Sequence, residues 1–335
     1  MGFARAQPIL QCTAMIRLLA LGLIAALALC PRPAAAQAYP THAVRVIVAF
    51  APGGVTDTFA RLMAQRLSEN LGKQFYVDNV PGATGNIGTA QAAKAAPDGY
   101  TLLFPFSSYV VNPTLFDKIP YDPDKDFDPV TLAVTSTTVL TVTPTVPATT
   151  VKELVDLIRA NPGKYSYSSA GVGTQAHLVG EQFRLALGLD LVHVPFNGGG
   201  PAIGAVVGGH TPVGFTSPAA SISQIQHGNV RALAITGAKR SRILPDIPTM
   251  AEAGFPQIAG DSWVGVLAPA GTPRDIIALL NREITKIIAT PDMQARLTEL
   301  GYDPVASSPE EFGRRIKTEI ATWAGVIHAA HIKNE

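Results

Sequence analysis

Apolar residues recur at every second position of Val44–Phe50, and this period predicts a short β-strand. The strand pattern stops at Pro52-Gly53-Gly54. From Thr58 the apolar spacing changes to three and four residues, which predicts an amphipathic helix. The apolar positions of the helix are Phe59, Leu62, Met63, Leu67 and Leu71. We interpret the stretch as a strand, a glycine turn and a helix.

The glycine turn and the start of the helix together form a possible anion-binding loop. Gly53 and Gly54 permit a positive φ and leave the backbone uncovered by any Cβ atom, so a ligand can approach closely. Thr56 or Asp57 can cap the helix, whose first N–H groups and dipole favour a negative charge. An ordinary connection between a strand and a helix is the alternative that these residues leave open.

The same order of elements continues after the first helix. Phe75–Asn79 has the composition of a second strand, a helix is predicted up to Ala96, and Tyr100–Phe104 predicts a third strand. Strands that alternate with helices indicate a parallel sheet, and ligands bind beyond the carboxyl ends of such strands. The residues predicted at these ends are Gly53, Gly54, Ser107 and Ser108.

A second glycine turn repeats the pattern later in the chain. Tyr165–Ser169 predicts a strand, Ala170–Thr174 a glycine turn and Gln175–Leu187 a helix. A further predicted strand, Leu191–Pro195, leads into the glycine-rich loop Phe196–Gly200. The sequence therefore predicts two anion-binding loops built in the same way.

Four side chains near these loops have two possible roles each. His177 lies in the first helical turn after the second glycine turn, where it could hydrogen-bond an oxyanion or serve as a helix-cap or core histidine. Asp57 is either a favourable acid at a helix start or a contact for a ligand ammonium group. Tyr109 and Trp263 could line a cleft or pack in the core.

The pattern predicts an α/β protein of two lobes, each a mostly parallel sheet flanked by helices. Val130–Thr143 is rich in β-branched residues and predicts a long strand that crosses from one lobe to the other. Two crossovers join the lobes, and each lobe offers one anion-binding loop to the cleft between them. We expect residues 39–138 to form the first part of lobe 1, 139–258 to form lobe 2, and 259–335 to return to lobe 1 with the C-terminal helices.

Residues 1–38 are predicted to be a cleaved secretory signal peptide. Basic residues precede the apolar run Leu18–Leu29, which is too short for a stable membrane span, and Ala36-Gln37-Ala38 supplies small residues for cleavage. Lipid attachment at Cys30 is disfavoured because a leucine precedes it. Translation could start at Met1 or at Met15.

Cysteine and charge content exclude several classes of function. The two cysteines, Cys12 and Cys30, both lie in the predicted signal peptide, so the mature chain has no thiol for a disulfide, a metal or a nucleophile. The chain has 26 basic and 25 acidic residues, and removal of three basic residues with the signal peptide leaves a formal charge near −2. A chain with so small a net charge lacks the excess of basic residues that is typical of proteins that bind nucleic acid or an anionic membrane. We expect an exported soluble protein.

The sequence offers no complete catalytic motif. Gly171–Ala176 fits the dinucleotide pattern G-x-G-x-x-A, but the acid expected after the next strand is missing. There is no G-x-S-x-G nucleophile elbow, and no histidine pair has the spacing of a zinc site. We therefore expect no enzyme activity, no cofactor and no metal.

Several motifs, taken in order, resemble one family: the solute-binding receptors of tripartite tricarboxylate transporters, or Bug-type periplasmic proteins. The likeness covers the whole chain after the signal peptide. It departs at Asp78-Asn79-Val80, where the family tends to have Glu-Asn-Arg, and at Gly209–Pro212, where Gly-Gln-Val-Asp is usual. The matching motifs are Pro52-Gly53-Gly54, Asp57, Ala60-Arg61, Pro81-Gly82-Ala83, Gly85-Asn86-Ile87-Gly88, Pro97-Asp98-Gly99-Tyr100-Thr101, Arg231-Ala232-Leu233-Ala234, Lys239-Arg240, Leu244-Pro245-Asp246-Ile247-Pro248-Thr249 and Ala268-Pro269-Ala270-Gly271-Thr272-Pro273.

The resemblance implies a two-lobed periplasmic-binding-protein (Venus flytrap) fold that passes a small organic carboxylate to membrane permease subunits. It implies that backbone N–H groups of Ala51–Asp57 and Ser169–His177 hold the carboxylate, often with ordered waters. We expect a periplasmic monomer. The competing functions are a ligand-sensing receptor for a two-component system and an exported hydrolase. The residues predicted to contact the ligand are Pro52, Gly53, Gly54, Thr56, Asp57, Ser107, Ser108, Ser169, Gly171, Thr174, His177, Phe196, Asn197, Gly198 and Ser217.

Overall fold

Eleven strands form two sheets within residues 39–333, which are the residues that the computed structural model describes. The predicted signal peptide lies outside the described residues. In chain order the strands are β1 (Val44–Val48), β2 (Phe75–Asn79), β3 (Thr101–Phe104), β4 (Phe127–Thr137), β5 (Val139–Val142), β6 (Tyr165–Ser169), β7 (Leu191–Pro195), β8 (Val213–Thr216), β9 (Arg231–Ile235), β10 (Asp261–Pro269) and β11 (Asp303–Pro304).

Ten α-helices and one 3-10 turn, Ala83–Gly85, connect the strands in the same part of the chain. None of these helices combines the length and the apolar content that a membrane crossing needs. The helices are α1 (Val55–Leu71), α2 (Asn86–Ala93), α3 (Ser108–Leu115), α4 (Val151–Ala160), α5 (Gln175–Ala186), α6 (Gly199–Val207), α7 (Pro218–Gln226), α8 (Arg274–Ile288), α9 (Pro291–Glu299) and α10 (Pro309–Ala329).

The first sheet has the strand order β11-β4-β10-β3-β1-β2. β1 lies inside the sheet because four of its five residues are apolar and buried, and it pairs in parallel with β2 and β3. α1 packs against β1 and β2, and its fully buried side chains include Phe59, Met63 and Leu67. The first predicted strand, helix and apolar helix face are confirmed.

Both sheets are mixed, whereas the sequence pattern predicts mostly parallel ones. In the second sheet, of order β7-β6-β8-β5-β9, β6 runs parallel to β7 and β8, but β5 runs antiparallel to β8 and β9. In the first sheet β10 runs antiparallel to β3 and β4. The reason is that the chain leaves the first sheet through β4 and re-enters it through β10, so neighbouring strands run in opposite directions.

Two segments of the chain, called the crossings below, lead from one sheet to the other. Val130–Thr143, predicted as one strand, lies in two strands, β4 and β5, which Thr138 separates. Residues 236–260 form the other crossing, from β9 to β10. Thr138 N–H donates to Oγ1 of Thr236 at 3.0 Å, and Thr236 N–H donates to the Thr138 carbonyl at 2.9 Å. The two crossings are therefore bonded to each other.

The C-terminal helices pack against the first sheet. α8 and α10 both contact β4, and α10 also contacts α3 and α5. The buried stripe of α10 follows the helical spacing and consists of Phe312, Ile316, Trp323 and Ile327. The last long helix therefore touches helices associated with each of the two sheets.

Candidate functional site

The first loop turns at Gly53 and enters α1 at Val55. Gly53 has a φ of 84°, and Gly54 is extended and serves as the N-cap without a side-chain hydrogen bond. The predicted capping by Thr56 or Asp57 is therefore wrong, because the turn brings the chain into the helix before either residue. Thr58 N–H makes the first helical bond, to the Gly54 carbonyl at 2.9 Å.

Asp57 is instead the third residue of α1, and its carboxylate folds back on the loop. Its Oδ2 accepts from Gly53 N–H at 2.9 Å and from Nε of Arg61 at 3.0 Å, while Oδ1 accepts from Nδ2 of Asn79 at 2.8 Å. Burial alone would raise the pKa of Asp57, but these hydrogen bonds and the Arg61 charge lower it below its usual value. The loop therefore contains an ionised carboxylate of its own.

The second loop has glycine where the backbone requires it. Gly171 and Gly173 have φ values of 132° and 74°, which side chains rarely adopt. Thr174 is the N-cap of α5: its Oγ1 accepts from His177 N–H at 3.4 Å and donates to the Gly171 carbonyl at 2.7 Å. Unlike Gly54 in the first loop, this N-cap uses its side chain.

His177 closes the second loop as Asp57 closes the first. Its Nδ1 accepts from Gly173 N–H at 3.1 Å, and its ring stacks on that of His193 at a centroid distance of 3.9 Å. Burial lowers the pKa of His177 to about 4, so the ring is neutral near pH 7 and carries its proton on Nε2. This bond and the burial of the ring agree with the helix-cap or core alternative, and a contact from His177 to an oxyanion stays a prediction.

Sequence analysis missed His193, which supports the same loop from β7. Its Nε2 lies 2.7 Å from Oγ of Ser169, which in turn accepts from Gly171 N–H at 3.3 Å. Burial, with a smaller effect from His177, lowers the pKa of His193 to about 4. The signal that could have found it is the parallel pairing of two predicted strands, which sets His193 opposite Tyr167.

In both loops the third helical residue binds the amide that precedes the N-cap. The amides of the first and second helical residues, which follow the N-cap, have no carbonyl acceptor within the helix. They point out of the helix start, where the dipole favours an anion. These amides belong to Val55 and Thr56 in α1 and to Gln175 and Ala176 in α5.

The carboxyl ends of β6, β7 and β8 bring most predicted residues of the second sheet together. Phe196 N–H donates to the Ser169 carbonyl at 3.0 Å, and Gly198 N–H donates to the Ala170 carbonyl at 3.2 Å. Ser217 follows β8, which lies beside β6. The predicted residues in this group are Ser169, Gly171, Phe196, Asn197, Gly198 and Ser217.

The predicted serines of the first sheet lie at the start of α3. Oγ of Ser108 donates to the Thr84 carbonyl at 3.3 Å, whereas Ser107 is enclosed, with 2% of its surface exposed. Thr84 is exposed and has a φ of 54°, and its carbonyl also accepts from Nδ2 of Asn112 at 3.0 Å.

α3 connects the two groups of residues. It begins at Ser108 and ends at Leu115, and an eight-residue helix is about 12 Å long. Leu115 lies against the second loop, because a Cβ atom built on Gly173 would stand 2.8 Å from Cδ2 of Leu115. The residues around Ser108 and the second loop therefore lie at opposite ends of one short helix.

Tyr109 and Trp263 are core residues, so the packing alternative is confirmed for both. Trp263 is fully buried, donates from Nε1 to Glu319 at 2.7 Å and packs edge-on against Phe312. Tyr109 is 2% exposed and donates to the Pro123 carbonyl at 2.9 Å.

Cavities of the described residues include one beside α8 and α10 and one beside the second loop. One of about 1020 Å³ lies beside Tyr109 between α8 and α10, and it includes none of the predicted ligand residues. The other, of about 470 Å³, includes His177 and His193. Within residues 39–333, no group of three histidine, aspartate or glutamate side chains is arranged to hold a metal ion.

A model of the family described as "Tripartite tricarboxylate transporter family receptor" matches residues 59–332. The chain belongs to this receptor family. Protein BugT of Bordetella pertussis is 37% identical to the receptor over 322 residues, which are 95% of this chain and 99% of BugT. The resemblance drawn from the ordered motifs is confirmed.

Solved structures agree with the family and the fold of the receptor. A protein from R. palustris solved with adipate is 35% identical, with a TM-score of 0.72 over 88% of this chain and 99% of that chain. MatC from Rhodopseudomonas palustris, solved with bound malate, is 32% identical, with a TM-score of 0.68 over 86% and 100% of the two chains. The predicted α/β periplasmic-binding-protein fold is confirmed.

Proposed function

We propose that this receptor captures a small organic carboxylate between two lobes and delivers it to the permease subunits of a tripartite tricarboxylate transporter. The observation that carries the proposal is the pair of loops before α1 and α5, each of which presents helix-start amides that have no carbonyl acceptor within the helix. Adipate and malate, named with two related structures, are both organic carboxylates. We assign residues 39–138 and 259–335 to lobe 1 and residues 139–258 to lobe 2.

The proposed site recognises the anion with neutral donors. Arg61 is the cation beside the first loop, and it is engaged by Asp57 and by Oδ1 of Asn79 at 2.8 Å. Backbone amides and hydroxyls then hold the carboxylate, and the remaining side chains select the rest of the ligand. We propose contacts from Pro52, Gly53, Gly54, Thr56, Asp57, Ser107, Ser108, Ser169, Gly171, Thr174, His177, Phe196, Asn197, Gly198 and Ser217.

We further infer that the receptor binds its ligand without converting it and that it acts as a monomer in the periplasm. A binding protein needs a difference in affinity between its open and closed states, and no reacting group. Membership of a receptor family supports this reading. The predicted signal peptide, outside the described residues, is consistent with export.

A thermal-shift screen tests the function directly. Purified protein is heated with di- and tricarboxylates, including adipate and malate, and with aromatic acids and amino acids. A ligand at 100 times its dissociation constant adds about 2.7 kcal/mol to the free energy of unfolding, which raises Tm by several degrees. A shift with one class of carboxylate is the expected result. A shift with none of these compounds would contradict the proposal.

Gly54→Val tests whether the loop amides hold the ligand. Gly54 has a φ of −74° and a ψ of 170°, which valine adopts without strain, but the added side chain crowds the first helical amides. We expect carboxylate binding to be lost in calorimetric titration while the circular dichroism spectrum is unchanged. Gly204→Ala, at an exposed helix position with open space around it, is the control. Unchanged affinity in Gly54→Val would remove the first loop from the site.

A further inference from the structure

The two crossings between the sheets meet at Asp261. This residue begins β10 and lies opposite Thr137, the last residue of β4. On the other side of the crossings, Val139 of β5 lies opposite Ile235 of β9. A rotation of one sheet relative to the other must therefore change the backbone between these two residue pairs, which makes this segment the hinge.

One oxygen of the Asp261 carboxylate, Oδ1, is buried in the hinge, whereas the residue as a whole is partly exposed. Oδ1 is buried and has no hydrogen-bond partner among the described residues. It lies close to Gly237, since a Cβ atom built there would stand 3.4 Å away, but Gly237 N–H donates to Oγ1 of Thr137 at 2.8 Å. A carboxylate oxygen without a donor disfavours the charged form.

The charged groups around Asp261 do not supply the missing donor. α10 presents Arg315 and Glu319, and β11 presents Asp303. Nε of Arg315 donates to Oε1 of Glu319 at 2.6 Å, and Nε1 of Trp263 donates to Oε2 of Glu319 at 2.7 Å. The cation of the cluster is thus engaged by Glu319, and Asp303 adds another negative charge.

These surroundings raise the pH at which Asp261 loses its proton. Burial raises the pKa of Asp261 to about 6; the charge of Arg315 and the nearby Thr137 hydroxyl, which makes no hydrogen bond to Oδ1, oppose this, and Glu319 and Asp303 assist it. The pKa of an ordinary aspartate is about 3.9, so its carboxyl group is already ionised at pH 5. Asp261 instead changes its charge between about pH 5 and pH 7.

Other polar atoms at this junction also lack partners. Gly260 precedes Asp261, and a Cβ atom built on it would stand 2.5 Å from Nε2 of Gln175 and 2.7 Å from the indole of Trp323. The side-chain N and O of Gln175 and Nε1 of Trp323 are buried and have no hydrogen-bond partner within residues 39–333. Gln175 belongs to α5 and Trp323 to α10, so unpaired polar atoms from both helices lie at the start of β10.

We propose that Asp261 is a proton-sensitive hinge residue. Its protonated form stabilises the lobe orientation of this structure, and its ionised form favours an orientation in which the carboxylate gains donors or water. The proposal depends on the proposed function in one respect: the lobe movement would trap and release the carboxylate ligand. It predicts that the orientation changes between pH 5 and pH 7 in the absence of ligand.

Distance measurement between two spin labels tests the proposal. The labels are attached at Lys73→Cys, after α1, and at Gln226→Cys, at the end of α7, both exposed positions. The chain after the predicted signal peptide has no native cysteine, so the labels attach at these two positions alone. Electron–electron distances are recorded without ligand at pH 5.0 and pH 7.5. We expect the distance distribution to shift between the two pH values with Asp261 present and to keep its pH 5.0 position at both values in Asp261→Asn.

Asp246→Asn, an exposed aspartate on the same crossing, is the matched control and should shift as the parent does. Asp261→Ser serves as a second variant if the asparagine disrupts β10. A distance that does not change with pH when Asp261 is present, or a change that persists in Asp261→Asn, would overturn the proposal. No ligand is used, so a failed carboxylate screen and a failed hinge test remain distinguishable.

Discussion

The two loops that start α1 and α5 share one hydrogen-bond arrangement but differ in charge. In the first loop Asp57 accepts from Gly53 N–H, and in the second His177 accepts from Gly173 N–H. Asp57 is an ionised carboxylate balanced by Arg61, whereas the neutral ring of His177 stacks on a second imidazole. A charged and an uncharged acceptor therefore make the same local bond.

Because of this difference in charge, the two loops should differ in their electrostatic interaction with a ligand and in their response to acid. In the proposed site a ligand carboxylate would meet an Asp57–Arg61 ion pair at the first loop, with the Asp57 carboxylate bonded to the loop amide itself, and an uncharged ring at His177. We therefore infer that the ligand carboxylate lies closer to the second loop. The two acceptors should also lose their hydrogen bonds in different pH ranges.

The largest expected effect is a difference between the two loops in how their contribution to the free energy of unfolding depends on pH. The pKa of His177 falls from 6.5 to about 4 on folding, so the unfolded chain binds a proton that the folded protein does not. Stability from this ring is present above pH 6.5 and is lost as the pH falls towards 4, by about 2.5 kcal/mol between pH 7 and pH 4.5. Asp57, whose pKa is lowered below 3.8, keeps its contribution above pH 4.

Urea unfolding of His177→Phe at pH 7 and pH 4.5 checks this separation. The variant should lose about 2.5 kcal/mol less than the wild type between the two pH values, because phenylalanine does not titrate. His227→Phe, at an exposed position, should follow the wild type. Parallel losses in His177→Phe and the wild type would contradict a buried neutral ring.

Asp57→Ala should give the second largest effect, a loss of about 2 kcal/mol at pH 7. The change removes the acceptor of Gly53 N–H and of the Asn79 amide, and it leaves Arg61 without its carboxylate. Chemical denaturation measures the loss. Asp57→Asn keeps one acceptor and should lose less. Equal losses in the two variants would show that the charge, and not the closure of the loop, stabilises α1.

His177→Asp gives the two loops the same charge and tests where the ligand carboxylate lies. We expect at least tenfold weaker binding of the carboxylate with the largest thermal shift, about 1.4 kcal/mol, because a negative charge then faces the ligand at both loops. Calorimetric titration measures the affinity. His177→Asn supplies a neutral acceptor and should bind more tightly than His177→Asp. Equal affinities would place the carboxylate away from the second loop.

The smallest effect concerns the N-caps. Thr174→Ala removes a side-chain cap and should cost about 1 kcal/mol, whereas Gly54→Ser adds a cap that α1 lacks and should add a few tenths. Urea unfolding at pH 7 measures both changes. A loss in Gly54→Ser as large as that in Thr174→Ala would show that the first loop requires glycine for close backbone packing.

The sequence by itself determined the elements and the turns. Apolar periods of two and of three and four located β1 and α1, and glycine marked the loops at Gly53 and Gly171, both of which have a positive φ. The ordered motifs along the chain were sufficient to indicate the receptor family. Periodicity and backbone freedom are properties of neighbouring residues, so a linear reading recovers them.

Only the tertiary structure decided which side chains meet. The antiparallel strands, the support from His193, the burial of Trp263 and the isolation of Asp261 all depend on residues far apart in the chain. Even the capping of α1 was misjudged, because the turn at Gly53 set the helix start and left Asp57 facing the loop. Burial and the supply of hydrogen-bond donors arise when distant segments pack together, and these two quantities determine the charge state of each site residue.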